Sequence, residues 1–111
     1  MLEKTTRMNL LYDFYHSLLT DKQKQVMELY YGDDLSLSEI AEHCQISRQA
    51  VFEHIKRAER LLNQYESQLQ MVAKYEKRHA LLDKLESVLA EASAVDVRQV
   101  RHLLDELRKT D

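Results

Sequence analysis

Residues 36–63 read Ser36-Leu37-Ser38-Glu39-Ile40-Ala41-Glu42-His43-Cys44-Gln45-Ile46-Ser47-Arg48-Gln49-Ala50-Val51-Phe52-Glu53-His54-Ile55-Lys56-Arg57-Ala58-Glu59-Arg60-Leu61-Leu62-Asn63. Ser36 and Glu39 stand three apart as a capping box, each side chain positioned to satisfy a backbone donor that the first helical turn leaves orphaned, so a helix is predicted to begin at about Leu37. Ile40, Ala41 and Cys44 give that helix one apolar face, with Ala41 small enough for another helix to cross close by. Ile46 is the apolar residue expected to be buried in the turn. Ser47 is a second N-cap, its hydroxyl placed for the amide of Gln49 or Ala50. Val51, Ile55, Ala58 and Leu62 then repeat at helical spacing on an inner face, while Arg48, Gln49, Phe52, Glu53 and Lys56 point outward. The whole reads as a helix-turn-helix.

A helix fits the major groove of DNA, and its first two turns supply the side chains that reach base edges. Arg48 and Gln49 are the predicted base readers: an arginine offers two donors to guanine, and a glutamine both donates to and accepts from adenine. Phe52 can contact a thymine methyl or anchor a protein interface. Glu53 shares this face, and Lys56, Arg57 and Arg60 lie further along, where a recognition helix meets phosphates. Paired amphipathic helices also serve as plain scaffolding; the order Ile-Ala, a small or apolar residue, Ile-Ser-Arg and then Val favours the helix-turn-helix.

Residues Leu18 to Gly32, with Leu37-Ser38-Glu39-Ile40-Ala41 and Ile46-Ser47-Arg48-Gln49-Ala50-Val51, resemble the domain of bacterial sigma factors that reads the promoter −35 element. Over essentially its whole length the chain is similar to the YlxM family, small bacterial helix-turn-helix proteins encoded beside signal recognition particle genes. The resemblance implies a DNA-binding-like domain and a regulatory role linked to the signal recognition particle pathway. At one point the chain departs from the sigma-like pattern: Gln45 stands where glycine is usual in the turn. A side chain in a left-handed turn conformation costs about 1 kcal/mol, so the turn could differ there.

Composition narrows the fold further. In 111 residues with no proline and a single glycine there is room for one domain and little to interrupt helices, so an all-α fold is expected. A net charge of −3 argues against high-affinity non-specific nucleic-acid binding, which rests on neutralising phosphates. The distribution tempers this: residues 47–63 hold four basic and two acidic side chains, a local +2, whereas residues 1–35 hold four basic and six acidic, −2. Cys44 is the only cysteine, which rules out an intrachain disulfide. No apolar run nears the ~20 residues of a membrane span, and Met1-Leu2-Glu3-Lys4 does not open a signal peptide. The expected location is the cytoplasm.

Outward from the central motif, Met8, Leu11, Tyr12, Tyr15, Leu18 and Leu19 predict a first helix over Glu3 to Leu19 with one buried face. Thr20 and Gln23 repeat the capping box, and Gly32 is the expected C-terminal stop, so a second helix should run from about Asp21 to Tyr31. After the motif, Val51, Ile55, Ala58, Leu62, Tyr65, Leu69 and Val72 continue at heptad spacing. Unbroken to Ala90, that helix would span roughly 65 Å. Either it breaks near Glu76-Lys77-Arg78-His79 and folds back, or a second chain covers it. Ser93 with Asp96 is expected to cap a last helix, Ala94 to about Lys109, able to turn back onto Leu81 to Val88 as an antiparallel hairpin. The expected organisation is a helix-turn-helix domain with supporting helices over 1–63 and a helical extension over 64–111 that forms a homodimer, with an intrachain bundle as the other possibility.

Catalytic signatures are missing: there is no phosphate-cradling glycine loop, no H-E-x-x-H and no nucleophile elbow. His43, Cys44 and His54 are the one conceivable zinc set, and adjacent residues on a helix do not face one another. The expectation is a non-enzyme without metal or cofactor. Two functions remain open. One is a DNA-binding regulatory protein; the other is a protein- or RNA-interaction accessory factor of the signal recognition particle that keeps the fold without reading DNA sequence.

Overall fold

A computed structural model describes residues 2–91 and 96–110, with side chains from Thr5 onward. Among these residues the fold is all-α: α1 (Leu2–Tyr15), a 3₁₀ turn (His16–Leu18), α2 (Asp21–Met27), a π turn (Glu28–Gly32), α3 (Leu37–Cys44), α4 (Arg48–Leu69), α5 (Met71–Ala90) and α6 (Val97–Arg108). The chain divides into two compact units, Met1–Leu69 and Gln70–Asp111.

In the first unit α4 is the axis on which α1, α2 and α3 pack. Its inner residues Val51, Ile55, Ala58 and Leu62 are buried with Met8, Leu11, Tyr15, Leu19, Val26, Met27 and Ile40. The heptad run that seemed to need a second chain is therefore covered, from Val51 to Leu62, by helices of its own unit. Leu18, expected in the core, is 52% exposed. It falls in the 3₁₀ turn, whose tighter winding takes it off the buried stripe of α1.

Two buried carboxylates hold these layers in register. Tyr15 donates to Glu66 at 2.6 Å and Tyr31 to Glu59 at 3.0 Å, tying α1 and the π turn to α4. Burial first, and then the neighbouring Glu59 carboxylate, push the Tyr31 phenol above its usual range; Tyr12 is raised by burial and then by the Glu28 carboxylate to which it donates. Both hydroxyls are thereby kept as donors.

Gly32 does not end the second helix as expected. No glycine has a positive φ; Asp34, two residues later, is left-handed at φ 56°, and Leu35 N donates to Leu29 O across it at 3.0 Å. The helix is α only to Met27 and widens into the π turn before stopping.

The long helix does not break at Glu76 to His79. Gln70, left-handed at φ 54° and ψ 32°, ends the α4 run, and α5 passes through 76–79 intact. In the second unit α5 and α6 form an antiparallel hairpin, its register fixed by Arg78, whose guanidinium donates to Thr110 Oγ1 at 2.8 Å and to Thr110 O at 2.9 Å. Leu81, Leu85 and Val88 of α5 face Val100, Leu103 and Leu107 of α6, with Leu103 buried and the others half-buried. The expected cap Ser93 lies outside the described residues. Ala94, the expected first residue, lies outside them too; Asp96 caps α6 at Val97, its side chain accepting from Arg98 N at 3.0 Å.

Among the described residues no helix is long and apolar enough to cross a membrane.

Candidate nucleic-acid interface

The local chemistry that places α4 starts one helix earlier. Ser36 Oγ accepts from Glu39 N at 3.1 Å and Glu39 Oε1 accepts from Ser36 N at 3.0 Å, so α3 begins on a complete capping box. The Ser36 backbone amide and then its side chain hold the Glu39 carboxyl below the usual range. At the other end of α3, Gln45 is left-handed at φ 54° and ψ 46°, and Ile46 N reaches back to Ala41 O at 3.1 Å. The turn usual with glycine is therefore built with glutamine. Ile46 is half-buried rather than fully enclosed. Ser47 Oγ then accepts from Ala50 N at 3.0 Å, and α4 starts with its side chains set by this cap.

Arg48, Gln49, Phe52, Glu53, Lys56, Arg57 and Arg60 are all exposed on the outward side of α4. The twelve steps from Arg48 to Arg60 correspond to about 18 Å of helix. Gln49, Phe52, Glu53, Lys56, Arg57 and Arg60 line one shallow groove together with Met8 of α1, and Arg48 joins Gln49, Phe52 and Leu37 around an adjoining hollow between α3 and α4.

Several of these side chains already have partners. Gln49 Nε2 donates to Glu53 Oε1 at 3.3 Å, so reading a base with both amide atoms requires Glu53 to release it. Lys56 lies 5.6 Å over the Phe52 ring, a cation–π distance, and 3.6 Å from Glu59 Oε1. Phe52 is 42% exposed. The guanidinium groups of Arg57 and Arg60 extend the basic end of the groove.

Glu59 and Asn63 were not among the residues singled out from sequence. Both line the groove, and Asn63 Nδ2 donates to Glu59 O at 3.0 Å. Glu59 joins the outward side of α4 to the core, since one end of its carboxylate meets Lys56 and the other accepts from Tyr31. Spacing carried a signal for it: Glu59 follows Ile55 by four and precedes Leu62 by three, the flank of the inner stripe.

A separate cleft of about 400 Å³ between α1 and the π turn is lined by Met8, Tyr12, Asp13, Met27, Glu28 and Tyr31 among others. Its two phenols already donate to Glu28 and Glu59, and of the predicted reading residues none lines it. Among the described residues no group of three or more histidine, cysteine or carboxylate side chains is placed to hold a metal ion. Cys44 is a half-buried free thiol.

The family model described as "Putative helix-turn-helix protein, YlxM / p13 like" (UPF0122) matches residues 2–102. The chain is 50% identical to a UPF0122 protein of Bacillus mycoides (strain KBAB4) and 49% identical to UPF0122 proteins of Bacillus thuringiensis (strain Al Hakam) and Bacillus cereus (strain AH187), in each case over all of both chains.

Proposed function

This chain belongs to the UPF0122 family of YlxM / p13-like helix-turn-helix proteins, and from that membership we propose that it is a cytoplasmic, dimeric DNA-binding regulatory protein whose α4 enters the major groove. The observation that carries the proposal is the exposed row Arg48, Gln49, Phe52, Glu53, Lys56, Arg57 and Arg60, set on a helix whose start is fixed by the Gln45 turn and the Ser47 cap. In this reading Arg48 and Gln49 contact base edges, Phe52 meets a thymine methyl, and Lys56, Arg57 and Arg60 hold phosphates. Glu53 orients Gln49 in the free protein and must release it on a cognate site.

The test is selection of bound duplexes from a random-sequence pool by the purified protein. A recovered consensus is expected, with Arg48→Ala relaxing it at one position by about 1–3 kcal/mol of discrimination. Lys56→Ala is expected to weaken all sequences alike. Recovery of no enriched sequence would reject base reading.

A second reading keeps the fold and changes the partner: an accessory factor that binds a protein or RNA of the signal recognition particle. Phe52 favours it, because an aromatic side chain 42% exposed beside the Leu37 hollow also suits a protein anchor. Its support is the exposed ring together with the gene neighbourhood of the YlxM family. Phe52→Ala then lowers affinity for the partner while leaving non-specific DNA retention unchanged.

A further inference from the structure

We propose that two copies of this chain associate through one face of the α5–α6 hairpin, which rests on the dimer included in the function proposed above and assigns its surface and register. The second unit spans Gln70–Asp111. A chain of about 40 residues rarely holds a core without a staple or a partner, and the buried apolar side chains among its described residues are Val72 and Leu103. Leu82, Leu89, Val97 and Leu104 are 47%, 52%, 64% and 40% exposed.

Those four side chains share one side of the hairpin. Leu82 and Leu89 each follow an inner residue of α5, Leu81 and Val88, by one position; Leu104 follows the inner Leu103 of α6 by one, and Val97 lies seven before Leu104. A step of one residue turns about 100° in the same sense down either helix axis. In an antiparallel pair facing each other, equal turns lead to the same side of the pair. The result is one apolar face with a period of seven along both helices, the seam that helix bundles bury.

The edges of this face select a second copy as its occupant. Beyond Leu82 and Leu89 the α5 edge carries Asp83, Glu86 and His79. Beyond Val97 and Leu104 the α6 edge carries Arg98, Arg101 and Arg108, with Asp105 there already paired to Arg108 at 3.7 Å. Rotation by two-fold symmetry about an axis along the hairpin lays α5 of one copy against α6 of the other, antiparallel, with acidic edge on basic edge. The Arg78–Thr110 bond sets the heights: eight residues up α5 from Arg78 is Glu86, and eight back along α6 from Thr110 is His102, so Glu86 meets Arg101 of the second copy. The face measures on the order of 500 Å² per copy from helix length and diameter, about 1,000 Å² in all, which reaches the lower bound of specific interfaces.

Sedimentation equilibrium of the full chain tests this. The native protein is expected to be a dimer at tens of micromolar. Leu82→Glu with Leu89→Glu, both at exposed positions, is expected to raise the dimer Kd at least 100-fold with unchanged helical circular dichroism. Glu86→Arg alone should weaken the dimer about tenfold, and Glu86→Arg combined with Arg101→Glu should restore it. A native monomer at 100 µM would overturn both the surface and the dimer. A native dimer untouched by L82E/L89E would overturn this surface while leaving dimerisation, and DNA binding by α4, to stand.

Discussion

Replacing Tyr15 with phenylalanine removes one oxygen from the centre of the first unit and nothing else. The ring is 1% exposed and packs 6.0 Å from Tyr65, so its apolar contacts survive the change. What disappears is the 2.6 Å bond to Glu66, whose side chain belongs to a residue only 7% exposed and 51 positions along the chain. A hydrogen bond to a charged acceptor contributes about 1.5–3 kcal/mol, and its short length fits the charge-assisted class. With about 2 kcal/mol lost and a urea dependence of about 1.5 kcal/mol per M, the midpoint of urea unfolding should fall by about 1.3 M. Glu66→Gln and the double variant complete a cycle, in which the coupling between the two positions should be on the order of 1–2 kcal/mol. A Tyr15→Phe midpoint within about 0.3 M of the native value, equivalent to ~0.5 kcal/mol, would show that this bond does not hold α1 to α4.

Gly32→Ala should stabilise the chain by about 0.5–1 kcal/mol, because Gly32 lacks a positive φ and an added Cβ meets nothing within 4 Å; thermal unfolding followed by circular dichroism reads it. Gln45→Gly should stabilise by about 1 kcal/mol, since the left-handed residue of the turn then loses its steric cost, and the same assay applies. The raised Tyr12 and Tyr31 phenols make an alkaline prediction: their contribution is complete below the unfolded phenol value of about 10 and is lost as pH rises toward the higher folded values. Urea midpoints should therefore begin to decline near pH 10, and less steeply in Tyr12→Phe/Tyr31→Phe; equal slopes would refute the assignment.

Where backbone chemistry is local, sequence and structure coincide. Ser36 with Glu39, Thr20 with Gln23, and Ser47 ahead of Ala50 form the caps their spacing predicts, because a cap needs only residues within one helical turn. The inner stripe Val51, Ile55, Ala58 and Leu62 is buried for the same reason that it is periodic. The departures come from residues whose conformation depends on distant partners. Gly32 looked like a stop because glycine accepts a left-handed backbone, yet Asp34 holds that conformation. Gln70, an ordinary helix former, interrupts the long run, while the charged stretch Glu76 to His79 stays helical. Glu59 and Glu66 are acceptors for tyrosines 28 and 51 positions away, a pairing that no local pattern encodes. The outward side of α4 was legible as far as exposure goes: Arg48, Gln49, Phe52, Glu53 and Lys56, the five residues named from their outward spacing, are exposed, as are Arg57 and Arg60, whereas the Gln49–Glu53 and Lys56–Glu59 pairings emerge only from side-chain geometry.

The salt dependence of DNA affinity bears most directly on whether the outward side of α4 is a nucleic-acid surface. Binding of the purified protein to a short random-sequence duplex, measured from 50 to 200 mM salt, should fall linearly on a double-logarithmic plot. Each of Lys56→Ala, Arg57→Ala and Arg60→Ala should make the slope shallower by about 0.9, the value of one released counterion contact. DNA left unbound at the lowest salt, or slopes that the three substitutions do not move, would contradict the assignment of α4 as the helix that meets DNA.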